Sequence, residues 1–226
     1  MYGREYGGRE LRFEPSGGLI ANSLVMMDKE TDSYWSLMTN VSLAGEYKGT
    51  HLQELPVGEK IQWKDWVAKH PNTLVLSIDG IEHEKINPYE NYFNSKEGFR
   101  GSEVEDKRLP TKSSIYAFHR GGKGYAVPFE EFEDGAVFEV DAGKLFLYRP
   151  DDVEIFYSTL AFVSEDGGFV ERDGAWYHAA SGARFDPEKA AFVGEGGQSV
   201  ARLDGFDTFW FNWSMSQPDT VILRSK

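Results

Sequence analysis

Two stretches far apart in the chain follow one pattern: Trp63 to Leu76 reads WKDWVAKHPNTLVL, and Trp210 to Leu223 reads WFNWSMSQPDTVIL. Each sets a Trp-x-x-Trp pair on one face of a short predicted helix, stops it with a proline and continues into three apolar residues. In the first stretch Trp63, Trp66, Val67 and His70 fall at i, i+3, i+4 and i+7, the spacing of a single helical face. Pro71 then pushes His70 out of the helical region. Thr73 to Ser77 reads as a buried strand.

The correspondence continues upstream in the same order. Val25-Met26-Met27-Asp28 matches Ala175-Trp176-Tyr177-His178, Thr31-Asp32 matches Ser181-Gly182, and Trp35 matches Phe185. Ala44-Gly45 then matches Val193-Gly194, and Leu52 matches Leu203. Apolar positions agree while surface positions drift, as a shared core requires. The expected organisation is a first unit over 1–82, an irregular connector over 83–113 and a second unit over 114–226, packed as one body.

Within the first unit, Glu10 to Phe13 alternates, Pro15 to Gly18 reads as a turn, and Leu19 to Met27 is an apolar run that predicts one strand. Short strands are expected at Ser33 to Ser36, Val41 to Ala44 and His51 to Leu55. In the second unit the strand signals are Ile115 to Phe118, Gly124 to Val127, Ala136 to Val140, Lys144 to Tyr148 and Ile155 to Phe162. The fold class expected is mainly β, as two small curved sheets or barrels, each closed by one Trp-bearing helix. An aromatic content of 15% with 24 glycines agrees with strands joined by tight turns.

At 226 residues the chain is long enough to bury about 70 % of its unfolded surface. A net charge of -13 repels phosphate backbones, which argues against nucleic acid and anionic membranes as partners. No apolar run reaches the ~18–20 residues of a membrane span, and MYGREYGGRELRF contains no signal-peptide apolar region. The absence of cysteine removes disulfides, thiolate metal sites and cysteine nucleophiles. It carries no information on compartment, because exported proteins can also lack cysteine.

Several of these residues together carry a family resemblance. Ser16-Gly17, the run Asn22-Ser23-Leu24-Val25-Met26-Met27-Asp28, Thr31, Trp35, Gly45, Gly49, Leu52, the Trp63 helix and His70-Pro71-Asn72-Thr73 resemble the domain-of-unknown-function 3179 family of bacteria and archaea. Phe209-Trp210-Phe211 through Pro218-Asp219-Thr220 resembles its second half. The resemblance implies kinship over nearly the whole chain and brings no activity with it. It also implies a Cys-Pro-x-Cys segment just upstream of Met1, so the first unit is expected to lack its opening strands. The matching place in the second unit, Tyr148-Arg149-Pro150-Asp151-Asp152, keeps the proline and has no thiol. A smaller likeness, in Gly182-Ala183-Arg184-Phe185-Asp186 with Gly194 and Leu203, is similar to the second half of a Rieske domain. His178 lies near its ligand region, but without cysteine no cluster is expected.

The histidines His51, His70, His83, His119 and His178 form no metal-ligand spacing, and no metal or cofactor is expected. His83-Glu84 reads as solvated loop. No Gly-x-Ser-x-Gly elbow is present, Gly121-Gly122-Lys123-Gly124 reads as a hairpin turn, and Glu130-Glu131 and Asp151-Asp152 read as acidic surface. The best polar group is Asn22, Ser23, Asp28, Thr31 and Trp35, with His51 and His70 as neighbours to consider. It reads either as hairpin residues that stabilise turns or as a polar-edged groove with Trp35 for a wall. Both Trp pairs read as core anchors, an exposed sugar-binding pair being the alternative. The expected function is non-catalytic binding or scaffolding, with a small molecule or a protein as partner. The alternative is a hydrolase using Asp28 and His51 or His70 near Trp35.

Overall fold

A computed structural model describes residues 2–55, 60–76, 89–150, 157–194 and 200–225. Two short strands, β1 (Glu5–Tyr6) and β2 (Arg9–Glu10), precede an antiparallel meander of β3 (Phe13–Ile20), β4 (Ser23–Asp28), β5 (Tyr34–Ser36) and β6 (Ser42–Ala44). Helices α1 (Trp63–Lys69) and α2 (Glu90–Asn94) follow, then a hairpin of β7 (Ser114–Arg120) and β8 (Lys123–Pro128). Next come β9 (Ala136–Val140), β10 (Gly143–Tyr148) and β11 (Leu160–Ser164), and a second meander of β12 (Phe169–Arg172), β13 (Ala175–His178), β14 (Arg184–Asp186) and β15 (Ala191–Val193). The chain closes with β16 (Ala201–Arg202) on β11, β17 (Phe206–Phe209) on β7, helix α3 (Trp210–Ser216), and β18 (Val221–Ile222) parallel to β8. The fold is mainly β, and among the described residues none of the sheets closes into a barrel.

Turn chemistry decides where strands stop. Gly121 and Gly122, at φ 56 and 75, make the two-residue β7–β8 connection, because both central residues of such a turn need positive φ. The same geometry overturns the single strand expected over Leu19 to Met27. Ala21 and Asn22 take φ 47 and 58 and reverse the chain inside the apolar run, while Pro15 to Gly18 becomes a bulge in β3. Asn is among the few residues that tolerate this conformation. Gly45, at φ 94, is required by packing as well, since a Cβ there would lie 2.5 Å from the Ser33 Cα. At its counterpart Gly194 a Cβ would stand 3.1 Å from the Ala183 Cα.

The core is layered. Phe146 and Phe162, on the β9–β10–β11 sheet, pack against Phe169, Phe185 and Phe192 of the second meander. The opposite side of the sheet presents Phe138, Leu145 and Leu147 to Tyr116, Phe118 and Tyr125 of the β7–β8 hairpin. The hairpin's other face, with Ile115, Ala117 and Ala126, is closed by Trp210, Phe211 and Trp213 of α3. Val104 and Leu109, from the irregular stretch before β7, join that layer. Leu11, Trp35 and Leu52 form a separate small core in the first meander.

The two Trp-bearing helices have equal length and equal ends. His70 and Gln217 cap them at φ/ψ of −131/67 and −136/72, each donating its N–H to the carbonyl of the second Trp at 2.8 Å. Their burial differs completely: Trp210 and Trp213 are inaccessible, whereas Trp63 and Trp66 are 52% and 36% exposed. The expectation of core anchors at both sites therefore fails at the first, because α3 is roofed by the β7–β8 hairpin and α1 packs under no such pair among the described residues. The buried strand expected at Thr73 to Ser77 fails with it. Residues 73–76 join no sheet, Leu74 and Leu76 are more than nine-tenths exposed, and Ser77 lies outside the described residues.

Candidate functional site

The polar group singled out in the first meander is built by the β4–β5 hairpin. Asp28, the last residue of β4, is fully buried, and its carboxylate accepts from the Thr31 N–H at 2.7 Å, the Thr31 hydroxyl at 2.8 Å and the Trp35 indole N–H at 2.8 Å. Thr31 Oγ1 also meets Ser33 Oγ at 2.8 Å. Trp35 is 1% exposed and packed by Tyr6, Phe13 and Tyr47. The indole is thus an interior group with its N–H satisfied by a buried acid, and its face is covered by rings rather than open to a ligand.

A corner of similar geometry in the second meander is built on a histidine. His178 is buried, its Nδ1 is 2.8 Å from Ser181 Oγ, and its Nε2 is 2.9 Å from Ser164 Oγ. Like Thr31 beside Asp28, Ser181 lies three residues after His178 and bonds to it. Ser164 was not singled out in the sequence, yet its contact with His178 has the form of a nucleophile and base. Its other contacts define a different role. Ser164 Oγ accepts from the Gly168 N–H at 3.2 Å and contacts Asp166 Oδ1 at 2.9 Å, so the hydroxyl organises the turn from β11 to β12.

The remaining candidates lie elsewhere. Asn22 sits in the β3–β4 turn with its Nδ2 3.5 Å from Met215 Sδ, and Ser23 opens β4 opposite Ile20. His70 stacks on Trp66, ring centroids 4.1 Å apart, at the end of α1. His51 Nδ1 is 2.8 Å from Asn40 Oδ1, and Asn40 Nδ2 donates to Glu54 Oε1 at 3.3 Å. Asp28, His51 and His70 therefore have three different sets of partners. His83 and Glu84, with Asp151 and Asp152, lie outside the described residues.

His51 leads to the place where the two halves of the chain meet. Glu54 also approaches His119 Nδ1 at 4.0 Å, and burial holds the His119 imidazole below its ordinary pKa against the pull of Glu54. Beside them lies a cleft of about 290 Å³, to which the first half contributes Tyr2, Glu54 and Lys60 and the second half Tyr116, Arg202 and Asp207. Asp207 is the fixed point of its wall. The carboxylate accepts from the Thr159 hydroxyl at 2.6 Å and the Thr159 N–H at 3.0 Å, and pairs with Lys60 at 3.4 Å and Arg149 at 3.5 Å. The Tyr116 hydroxyl donates to the Leu203 carbonyl at 3.0 Å, and burial, first of all, raises its pKa far above the ordinary value. Burial likewise raises that of Tyr2, whose hydroxyl donates to the Leu37 carbonyl at 2.7 Å. Both phenols therefore serve as neutral hydrogen-bonding groups. The cleft combines fixed charges of both signs with phenolic hydroxyls, a lining suited to holding a small polar molecule.

Sequence reading missed this cleft because its parts come from positions spread between 2 and 207. The only local signal was His51. Among the described residues no cluster of three or more His, Asp or Glu is placed to hold a metal, and no helix is long and apolar enough to cross a membrane. A family model described as a protein of unknown function (DUF3179) matches residues 1–220. No curated protein and no solved structure matches the chain.

Proposed function

Because the chain belongs to the DUF3179 family, which is defined without an activity, we propose from its own geometry that it is a non-catalytic binding protein whose ligand occupies the seam cleft. In this reading residues 1–82 and 114–226 are diverged copies of one module, and binding is a property of their junction. The observation that carries the reading is the cleft wall. Asp207 is held by Lys60, Arg149 and Thr159, and Tyr116 is held by a carbonyl, so these groups are positioned rather than poised to exchange protons. The ligand that suits charges of both signs is a small zwitterion or polyol.

A thermal-shift screen of amino acids, betaines, polyols and sugars tests the reading. A binder at a hundred times its Kd is expected to stabilise the fold by about 2.7 kcal/mol. That stabilisation is expected to fall away in Glu54→Gln and Arg202→Ser. A screen with no binder, together with turnover of an ester or amide substrate, overturns the reading.

A further inference from the structure

Among the described residues three acids line the seam cleft, and they are not equally provided for. Asp207 takes two hydrogen bonds from Thr159 and stands 3.4 Å from Lys60 and 3.5 Å from Arg149, so its charge is matched inside the protein. Glu54 has less. Its Oε1 accepts from Asn40 Nδ2, a neutral donor, at 3.3 Å and stands 4.0 Å from His119, whose imidazole burial holds towards the neutral form. Asp204 has least, for its Oδ1 is buried with no hydrogen-bond partner among the described residues. A buried acceptor left without a donor bears the full desolvation penalty of its group, and a charged one bears more.

The main chain fixes Asp204 at this wall. Leu203 is held on both sides, its N–H donating to the Ala161 carbonyl at 3.0 Å and its own carbonyl accepting from the Tyr116 hydroxyl at 3.0 Å. Gly205 then lies directly on Tyr116: a Cβ there would stand 2.5 Å from the ring carbon that bears the hydroxyl and 2.7 Å from the Ala117 carbonyl oxygen. Phe206 follows, opening β17 opposite Ala117. Burial first, then Asp207, Asp204 and Glu54, with Arg202 opposing them, keep the Tyr116 hydroxyl from ionising, which groups all three acids around one phenol. The soft χ2 torsion of an aspartate lets the Asp204 carboxylate turn its oxygens to the cleft without moving this backbone.

We propose that the ligand of the seam cleft is a small amino acid whose primary ammonium group binds Asp204 and Glu54, a specification that rests on the cleft being a binding site. An ammonium brings three N–H donors and a positive charge together. Those are what a buried carboxylate without a donor and a neighbour served by a neutral amide lack. A quaternary ammonium carries the charge and no N–H, and a polyol carries donors and no charge, so neither supplies both. Lys60 and Arg202, the cations of the same lining, set the pole for the ligand's carboxylate.

The test is isothermal titration of the full chain with the common amino acids, each compared with the hydroxy acid and the N-trimethyl betaine of the same side chain, and with glycerol. At least one amino acid is expected to bind saturably, about tenfold or more tighter than its hydroxy acid and its betaine. Asp204→Asn is expected to remove that preference while keeping the urea midpoint at or above that of the parent, since it deletes a buried charge that has no donor. The ligand comparison uses the parent chain alone, so it decides between the outcomes even where Asp204→Asn fails to fold. A betaine, hydroxy acid or polyol that binds as tightly as every amino acid overturns the proposal and leaves the cleft a binding site, as does an amine preference that Asp204→Asn leaves intact. The absence of a saturable binder from all of these classes overturns both.

Discussion

Asp28 and His178 stand at hairpin corners of similar geometry and differ in chemistry. The Asp28 N–H bonds to the Ser33 carbonyl at 3.0 Å, the His178 N–H to the Ala183 carbonyl at 2.9 Å, and each side chain takes the hydroxyl three residues on. Asp28→Ala removes the acceptor of the buried Trp35 indole N–H and is expected to cost about 3 kcal/mol in urea unfolding. His119 makes a prediction of opposite sense to a paired histidine. Burial disfavours its charged form, so as pH falls below the ordinary 6.5 the unfolded chain takes up the proton before the folded one. Its contribution to stability is full above that value and declines below it, towards the lower folded-state pKa. Unfolding midpoints of the parent and His119→Asn, compared between about pH 7.5 and 5, are expected to show the parent losing more stability on the acid side.

At the scale of elements, what a helix contributes depends on its roof. Trp213 is fully enclosed by the hairpin and packs edge-on to Phe206 at 5.7 Å, so Trp213→Ala is expected to cost about 3–5 kcal/mol. Trp66 has the same place in its helix and is over a third exposed, so Trp66→Ala is expected to cost no more than about 1 kcal/mol. Chemical denaturation of the two variants side by side checks the contrast. The hairpins show the same dependence on local detail. Two glycines after Arg120 announce their turn openly, whereas Ala21-Asn22 hides one inside an apolar run, because periodicity does not register a two-residue reversal between strands of like composition.

For the molecule as a whole, the seam between the halves is the sensitive region. Asp207 and Arg149 are each 4% exposed at the side chain, and Lys60 and Thr159 complete the cluster. Removing one partner leaves a buried charge uncompensated, so Asp207→Ala is expected to cost about 3–5 kcal/mol. Replacing both, in Arg149→Met with Asp207→Leu, is expected to cost less than the sum of the single changes, a coupling that a double-mutant cycle in denaturant measures.

The sequence by itself determined the mainly β class, the helices at Trp63 and Trp210 and their proline stops, because these are written in local periodicity, turn residues and the order of apolar positions; the family came from its resemblance to known sequences. It also placed Asp28, Thr31 and Trp35 together, since eight residues of one hairpin bring them into reach. Only the tertiary structure decided which Trp helix is core and which is surface, for burial depends on the hairpin that packs above it and leaves no mark on the helix's own period. The structure alone likewise brought Tyr2, Glu54, Tyr116 and Asp207 to one cleft, because groups separated by up to some two hundred positions become neighbours only when the layers close.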